Sequence, residues 1–435
     1  MSTPKNMPEE FLQFVWENNL FENHNLRTEK GISLEIINTG RRNTNSGPDF
    51  FNARILLGGT EWAGNIEVHK KSSDWLLHNH QNDKAYNNVI LHVVGQHDKE
   101  ICRSNKEPVA TLVLKYPAHC LKNYNKLLAA KTWIACENDF HKINPVMLRL
   151  GFNRLMIERL EQKTTAIRDK LLKNGNNWNE TFYQVLAAGF GFKVNALPFE
   201  LLANAIPLNI LAKHKNNLFQ LEALLFGASG LLNEELIGDD YYLKLREEFS
   251  FLYRKYKIKP VEGHLWKFMR LRPGNFPTIR IAQLAALVYH SHGMFSKITE
   301  AETVEALQQL FKTRASGYWD NHYRFNKQSK KIQPRVMGES SINILLINVV
   351  IPFLFIYGEM QEQHHLKDRA LNFLEQLPAE NNYIVKNWQR LGVDVRSAFE
   401  SQALLQLKNL YCTHKICLTC QVGNKLVRLE PESIK

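Results

Sequence analysis

Up to about residue 120 the chain mixes one helix-like stretch with segments whose apolar side chains recur at every second position; from about Leu121 to about residue 411 the recurrence becomes helical. A period of two belongs to half-buried strands and a period of 3.6 to amphipathic helices. A chain that switches once between them is expected to fold as a sheet-bearing domain followed by a large helical region. The order reads helix (Glu9 to Phe21), strands (Ile32 to Ile37, Asp49 to Leu57, Glu61 to Lys70), helix (Trp75 to Asn87), strands (Val89 to Val94, Val109 to Leu114). Gly58-Gly59 suits a two-residue hairpin turn, and Pro8 and Ser72-Ser73-Asp74 suit helix starts. The expectation is α/β plus all-α: a mixed-sheet domain over 1–120, a helical domain over 121–410 and a separate Cys-rich tail over 411–435. Helices are expected at Pro145 to Leu172, Glu180 to Phe190, Phe199 to Ala205, Phe219 to Phe226, Tyr241 to Tyr256 and Ile279 to Tyr289.

With 44% hydrophobic residues in a chain of 435, a sizeable core is available and disorder is excluded for most of it. The longest apolar stretch, Ile342 to Tyr357, contains Asn343, Asn348 and Pro352 and reads as a buried helix, not a membrane span. The opening MSTPKNMPEEF lacks a secretory pattern, so a cytoplasmic location without a membrane partner is the expectation. Lys and Arg outnumber Asp and Glu by 55 to 43, giving +12 and a pI near 9.2, a balance that favours polyanionic partners such as nucleic acid. No P-loop or dinucleotide-binding glycine pattern occurs.

The densest polar cluster falls in the sheet. Side chains at 67 and 69 share one face of a strand, so Glu67 and His69 are neighbours. If the flanking strands pair through Gly58-Gly59, Asp49 and Glu67 each lie roughly nine residues from the turn and meet. Two carboxylates and an imidazole suit phosphodiester hydrolysis, which needs acidic oxygens for Mg²⁺ or Mn²⁺ and a base for water. The alternative is a turn-capping Asp49 and a solvated sheet face.

Pro48-Asp49 followed by Glu67-Val68-His69, within a helix-strand-strand-strand-helix-strand order, resembles the catalytic core of the PD-(D/E)XK nuclease superfamily, a restriction-endonuclease-like fold. The resemblance implies that Asp49 and Glu67 are metal ligands and that His69 stands where those enzymes carry Lys. A neutral imidazole does not replace an ammonium, and Lys70 points to the opposite face of a regular strand. Glu10, Glu17 or Glu35 would complete the site. Over nearly the whole chain, SGPDFFNARI, YNNVILHVV, AAGFGFKVNALPFE, RLRPGNFPTIRIAQLA and CLTC-QVGN resemble the family called domain of unknown function 2851, which implies no activity.

Three further groups stand out. Cys412, His414, Cys417 and Cys420 form a compact set that would suffice for zinc, while an iron–sulfur cluster would require Cys136 as fourth ligand, an arrangement some PD-(D/E)XK nucleases resemble; the alternative is buried structural thiols. Arg270, Arg272 and Arg280 surround a Pro-Gly-Asn turn, suited either to phosphates of a nucleic acid or to internal ion pairs. His78 and His80 would lie about 200° apart on a regular helix, which keeps them off a common metal unless the backbone there is irregular. The leading expectation is a metal-dependent nucleic-acid phosphodiesterase with Asp49, Glu67 and His69 catalytic. The rival is a non-catalytic nucleic-acid-binding or scaffold protein.

Overall fold

The computed structural model describes residues 7–232, 238–291 and 293–431. The chain divides into two units, one running to Arg149 and resuming at Lys408, the other spanning Leu150–Leu407. This differs from the expected boundaries: the Cys-rich tail belongs to the first unit. The reason lies in α3 (Ala118–Ala129), whose helical period announces its type but not its core; Asn123 on it donates to the carbonyls of Leu426, Val427 and Leu429 at 2.9–3.2 Å.

The first unit opens with α1 (Glu9–Glu17), where Pro8 precedes an acidic first turn and Phe11, Leu12, Phe14, Val15 and Trp16 are buried. One mixed sheet follows, built from β1 (Leu34–Asn38), β2 (Arg41–Arg42), β3 (Phe50–Leu57), β4 (Thr60–Lys71), β5 (Val89–Gln96) and β6 (Thr111–Val113). The strands run in the order β1-β3-β4-β5-β6, with β2 also paired to β3. The expected hairpin is present: Leu57 pairs with Thr60, and Gly58 and Gly59 take φ of +58° and +86°, which a two-residue turn requires. The β4–β5 and β5–β6 pairs are parallel.

One irregularity sets the site. Ala53 pairs with Gly64 but Phe50 pairs with Ile66, so β3 holds one extra residue, at the bulge that contains left-handed Asn52 (φ 60°). Continuing this register places Asp49 opposite Glu67; without the bulge it would face Val68 on the other side of the sheet. Gly64 permits close passage of the chain entering β5, since a Cβ there would come within 2.4 Å of Ile90 and 2.6 Å of the Asn88 carbonyl.

The crossover from β4 to β5 was expected as one helix over Trp75 to Asn87. It is instead a single turn, α2 (Asp74–Leu77), followed by 3₁₀ turns at His80–Asn82 and Lys84–Tyr86. Trp75 and Tyr86 anchor it in an apolar cluster with Val89, Ile101 and Val109. Asp98 accepts bonds from Ser72 Oγ and from Ser73 N and Oγ, fixing the corner.

The second unit is predominantly helical, with principal helices Phe152–Lys173, Trp178–Phe190, Leu218–Ala228, Asp240–Tyr256, Pro277–His290 and His364–Gln376. Gly151 breaks the helix expected from Pro145, and a small hairpin, His322–Arg324 with Lys327–Gln328, interrupts the helices. The segment Glu339–Met360 is long and apolar enough to cross a membrane, and 78% of its most apolar window is buried within the protein.

Candidate metal centre

Asp49 stands at the foot of β3, and both of its carboxylate oxygens are engaged. Oδ1 accepts from Gln13 Nε2 at 2.9 Å and Oδ2 from the Val68 amide at 3.0 Å, while its own amide donates to Glu67 Oε2 at 3.1 Å. The other oxygen of Glu67, Oε1, lies 3.3 Å from His69 Nε2 and 3.3 Å from His80 Nε2. His69 Nε2 is in turn 3.1 Å from His78 Nδ1. Asp49, Glu67 and His69 therefore meet as expected, joined by two histidines expected to lie apart.

The left-handed backbone of Asn79 (φ 63°, ψ 26°) explains the difference. It ends α2 at His78 and starts a new turn at His80, so the two rings no longer obey helical spacing. Ligand atoms of His69, His78 and His80 all lie within 4.8 Å of one another. His69 and His80 are buried, whereas His78 is exposed, leaving the cluster open to solvent on one side.

Sequence reasoning missed two contributors. His92, fully buried on β5 beside Glu67, places Nε2 2.8 Å from His69 Nδ1 and fixes that ring; same-face placement on the next parallel strand was the available signal. From α1 the contributing carboxylate is Glu9. Glu10 bonds the Tyr124 hydroxyl, Glu17 pairs with Arg42 at 3.3 Å, and Glu35 is exposed on β1. Glu9, Gln13 and Glu17 are spaced i, i+4, i+8 along one stripe of the helix, which would have pointed to Glu9.

Electrostatics mark the cluster as strained without a cation. Burial and then the Asp49 charge push Glu67 up to about 9. Burial also raises Asp49, against the bonds from Val68 and Gln13 that lower it. Glu9 rises to about 7 through burial, then repulsion from Asp49, Glu67 and Asp74. Burial first, then neighbouring histidines, lower His69 to about 2 and His92 to about 3. The result is neutral imidazoles with lone pairs to offer beside carboxylates that resist ionising together, a setting that a divalent cation relieves.

The donor set fits such an ion. Tetrahedral zinc with bonds of about 2.0–2.1 Å spaces its donors roughly 3.3 Å apart, close to the separations of Glu67 Oε1 and His78 Nδ1 from His69 Nε2. Imidazole-rich sets suit zinc or manganese better than magnesium, which prefers oxygen alone.

The remaining residues divide. Arg270 and Arg272 are exposed, but Arg280 is 3% exposed and not available to a nucleic acid: it bonds Asn275, Gln283 and Ser341 at 2.6–2.9 Å and lies over the Phe192 ring. Cys136, Cys417 and Cys420 are buried and Cys412 half-buried, near enough that their charges act on one another. His414 is exposed to solvent.

The family model described as "Protein of unknown function (DUF2851)" matches residues 9–383. No curated protein and no solved structure matches the chain.

Proposed function

This chain belongs to the DUF2851 family of proteins of unknown function, and we propose that its first unit is a metal-dependent phosphodiesterase centre acting on nucleic acid. The observation that carries the reading is the meeting of Glu67, His69, His78 and His80 around one point, with Asp49 held beside them. Glu67 and the histidines would hold a divalent ion, manganese or zinc in preference to magnesium. Such an ion supplies Lewis-acid polarisation of a phosphodiester oxygen and a lowered pKa for an attacking water.

The chain's own groups account for the rest. Gln13 and the Val68 amide lock the Asp49 carboxylate toward the cluster. Glu9, half-buried and tuned to about 7, is the carboxylate suited to take the proton of an attacking water at neutral pH. His78 stands at the open side, where a phosphate would approach. The net charge of +12 supports a polyanionic substrate.

A second reading, a metal-bearing protein that binds nucleic acid without cleaving it, is favoured by His69: a ring lowered to about 2 supplies no positive charge for the transition state. The test incubates full-length protein with Mn²⁺, Zn²⁺ or Mg²⁺ and a panel of single- and double-stranded DNA and RNA, beside Glu67→Gln, Glu9→Gln and His80→Ala. Cleavage in the wild type that falls at least a hundredfold in Glu67→Gln supports the enzyme. Retained salt-dependent binding without cleavage under every metal selects the second reading, and equal cleavage by Glu67→Gln removes the site assignment.

A further inference from the structure

Cys412, Cys417 and Cys420 lie in a segment shaped by its backbone more than by apolar packing. Lys415 takes a left-handed φ of 53° between the first two cysteines, and Cys420 caps the final helix, Gln421–Arg428. Gly423 allows that helix to press on the loop, since a Cβ there would fall 2.2 Å from the Cys417 carbonyl oxygen. Lys415 Nζ donates to the carbonyls of Leu128 and Ala130 at 2.5 and 2.7 Å, and Lys408 Nζ to that of Trp133 at 2.9 Å. These bonds bring the loop to the 128–136 segment, where Cys136 begins a 3₁₀ turn.

We propose that Cys136, Cys412, Cys417 and Cys420 together bind one thiophilic metal centre, a zinc ion or an iron–sulfur cluster, that joins the chain after Lys408 to the segment around Cys136. Four sulfurs from two stretches of chain far apart in sequence converge here. The thiolates of Cys417 and Cys420 act on Cys136, and all three act on Cys412. No disulfide links them. Four thiols packed for bulk alone would need no cation nearby, yet the charges of Lys408 and Lys415 favour the thiolates of Cys412 and Cys417. Exposed His414 takes no part, which makes the set tetrathiolate and not a three-Cys, one-His site. Loading replaces four S–H bonds with sulfur–metal bonds and releases four protons to solvent.

The site is independent of the Glu67–His80 cluster, and the experiment separates them. Full-length protein is purified anaerobically from cells supplied with zinc and iron, dialysed against EDTA and analysed for metal, beside His80→Ala, Cys136→Ser, Cys417→Ser and Cys120→Ser. The expected result is one centre per chain in wild type, His80→Ala and Cys120→Ser, and none in Cys136→Ser or Cys417→Ser. Iron with visible charge-transfer absorbance identifies a cluster, and one equivalent of colourless zinc the single ion. Titration of the wild type with a mercurial reagent needs no variant to fold and should release the metal over four thiol equivalents. Wild-type protein that retains no metal, or Cys136→Ser protein that retains it all, overturns the proposal. Absent cleavage with an intact centre would count only against the phosphodiesterase reading.

Discussion

His69 Nδ1 and His92 Nε2 lie 2.8 Å apart on neighbouring parallel strands, and neither ring carries charge at neutral pH. A buried neutral pair of this kind couples the sheet's stability to acid. In the unfolded chain both rings take up protons below about 6.5, while the folded rings resist until about 2 and 3. The unfolded state therefore binds more protons through that window, and stability falls as pH drops from about 6.5 toward 3. Urea unfolding of the metal-free protein at several pH values measures the slope. His92→Leu should flatten it, and an unchanged slope would contradict the assignment.

The carboxylates act in the opposite sense. Glu67 and Glu9 have folded values raised to about 9 and about 7, so their protonated forms favour folding below about 4.5, and that contribution is lost as pH rises through 7 and 9. A metal needs them ionised, so its affinity should rise steeply between pH 6 and 9. Near pH 7, binding should expel about one to two protons. Calorimetry in two buffers of different ionisation enthalpy counts them, and a buffer-independent heat would rule the linkage out.

Asn79 decides whether His78 and His80 meet. Its left-handed backbone suits Asn or Gly, whereas a β-branched residue there costs roughly 1–2 kcal/mol. Asn79→Gly should keep manganese or zinc affinity within a few-fold. Asn79→Val should weaken it by about tenfold or more, comparable to losing a partner that orients a ligand. Equal affinities would show that the turn does not position the rings.

The arginines around the Pro-Gly-Asn turn should separate by exposure. Arg270→Ala and Arg272→Ala should each weaken nucleic-acid binding and reduce the logarithmic salt slope by about one. Arg280→Met should leave the slope unchanged and lower stability instead, because the buried guanidinium serves Asn275, Gln283 and Ser341. Fluorescence titrations at three salt concentrations, with thermal melts alongside, distinguish the two behaviours.

The meeting of Asp49 and Glu67 was legible from rough distances to the hairpin turn, but which face Asp49 takes was not. That depends on one extra residue at the Asn52 bulge, and no alternation of apolar and polar residues marks it. His78 and His80 were misplaced for a related reason: a single left-handed residue undoes helical spacing while leaving composition unchanged. Helix types in the second unit were readable because their apolar stripes are long. The boundary near residue 120 was misread because a period identifies an element without saying which core receives it. Cys136 was anticipated from thiol chemistry, although its approach to the tail depends on bonds made by Asn123, Lys408 and Lys415.

The first unit is discontinuous, split by a stretch of roughly 250 residues between Arg149 and Lys408. During synthesis at about 5–20 residues per second, its opening portion leaves the ribosome roughly 10–50 seconds before the portion that completes it. For that interval the surface of α3 destined for the last helix has no covering. Nascent chains should therefore pass through a stage in which the sheet has formed and its closing segment has not yet been made, a period when chaperones have most reason to hold them.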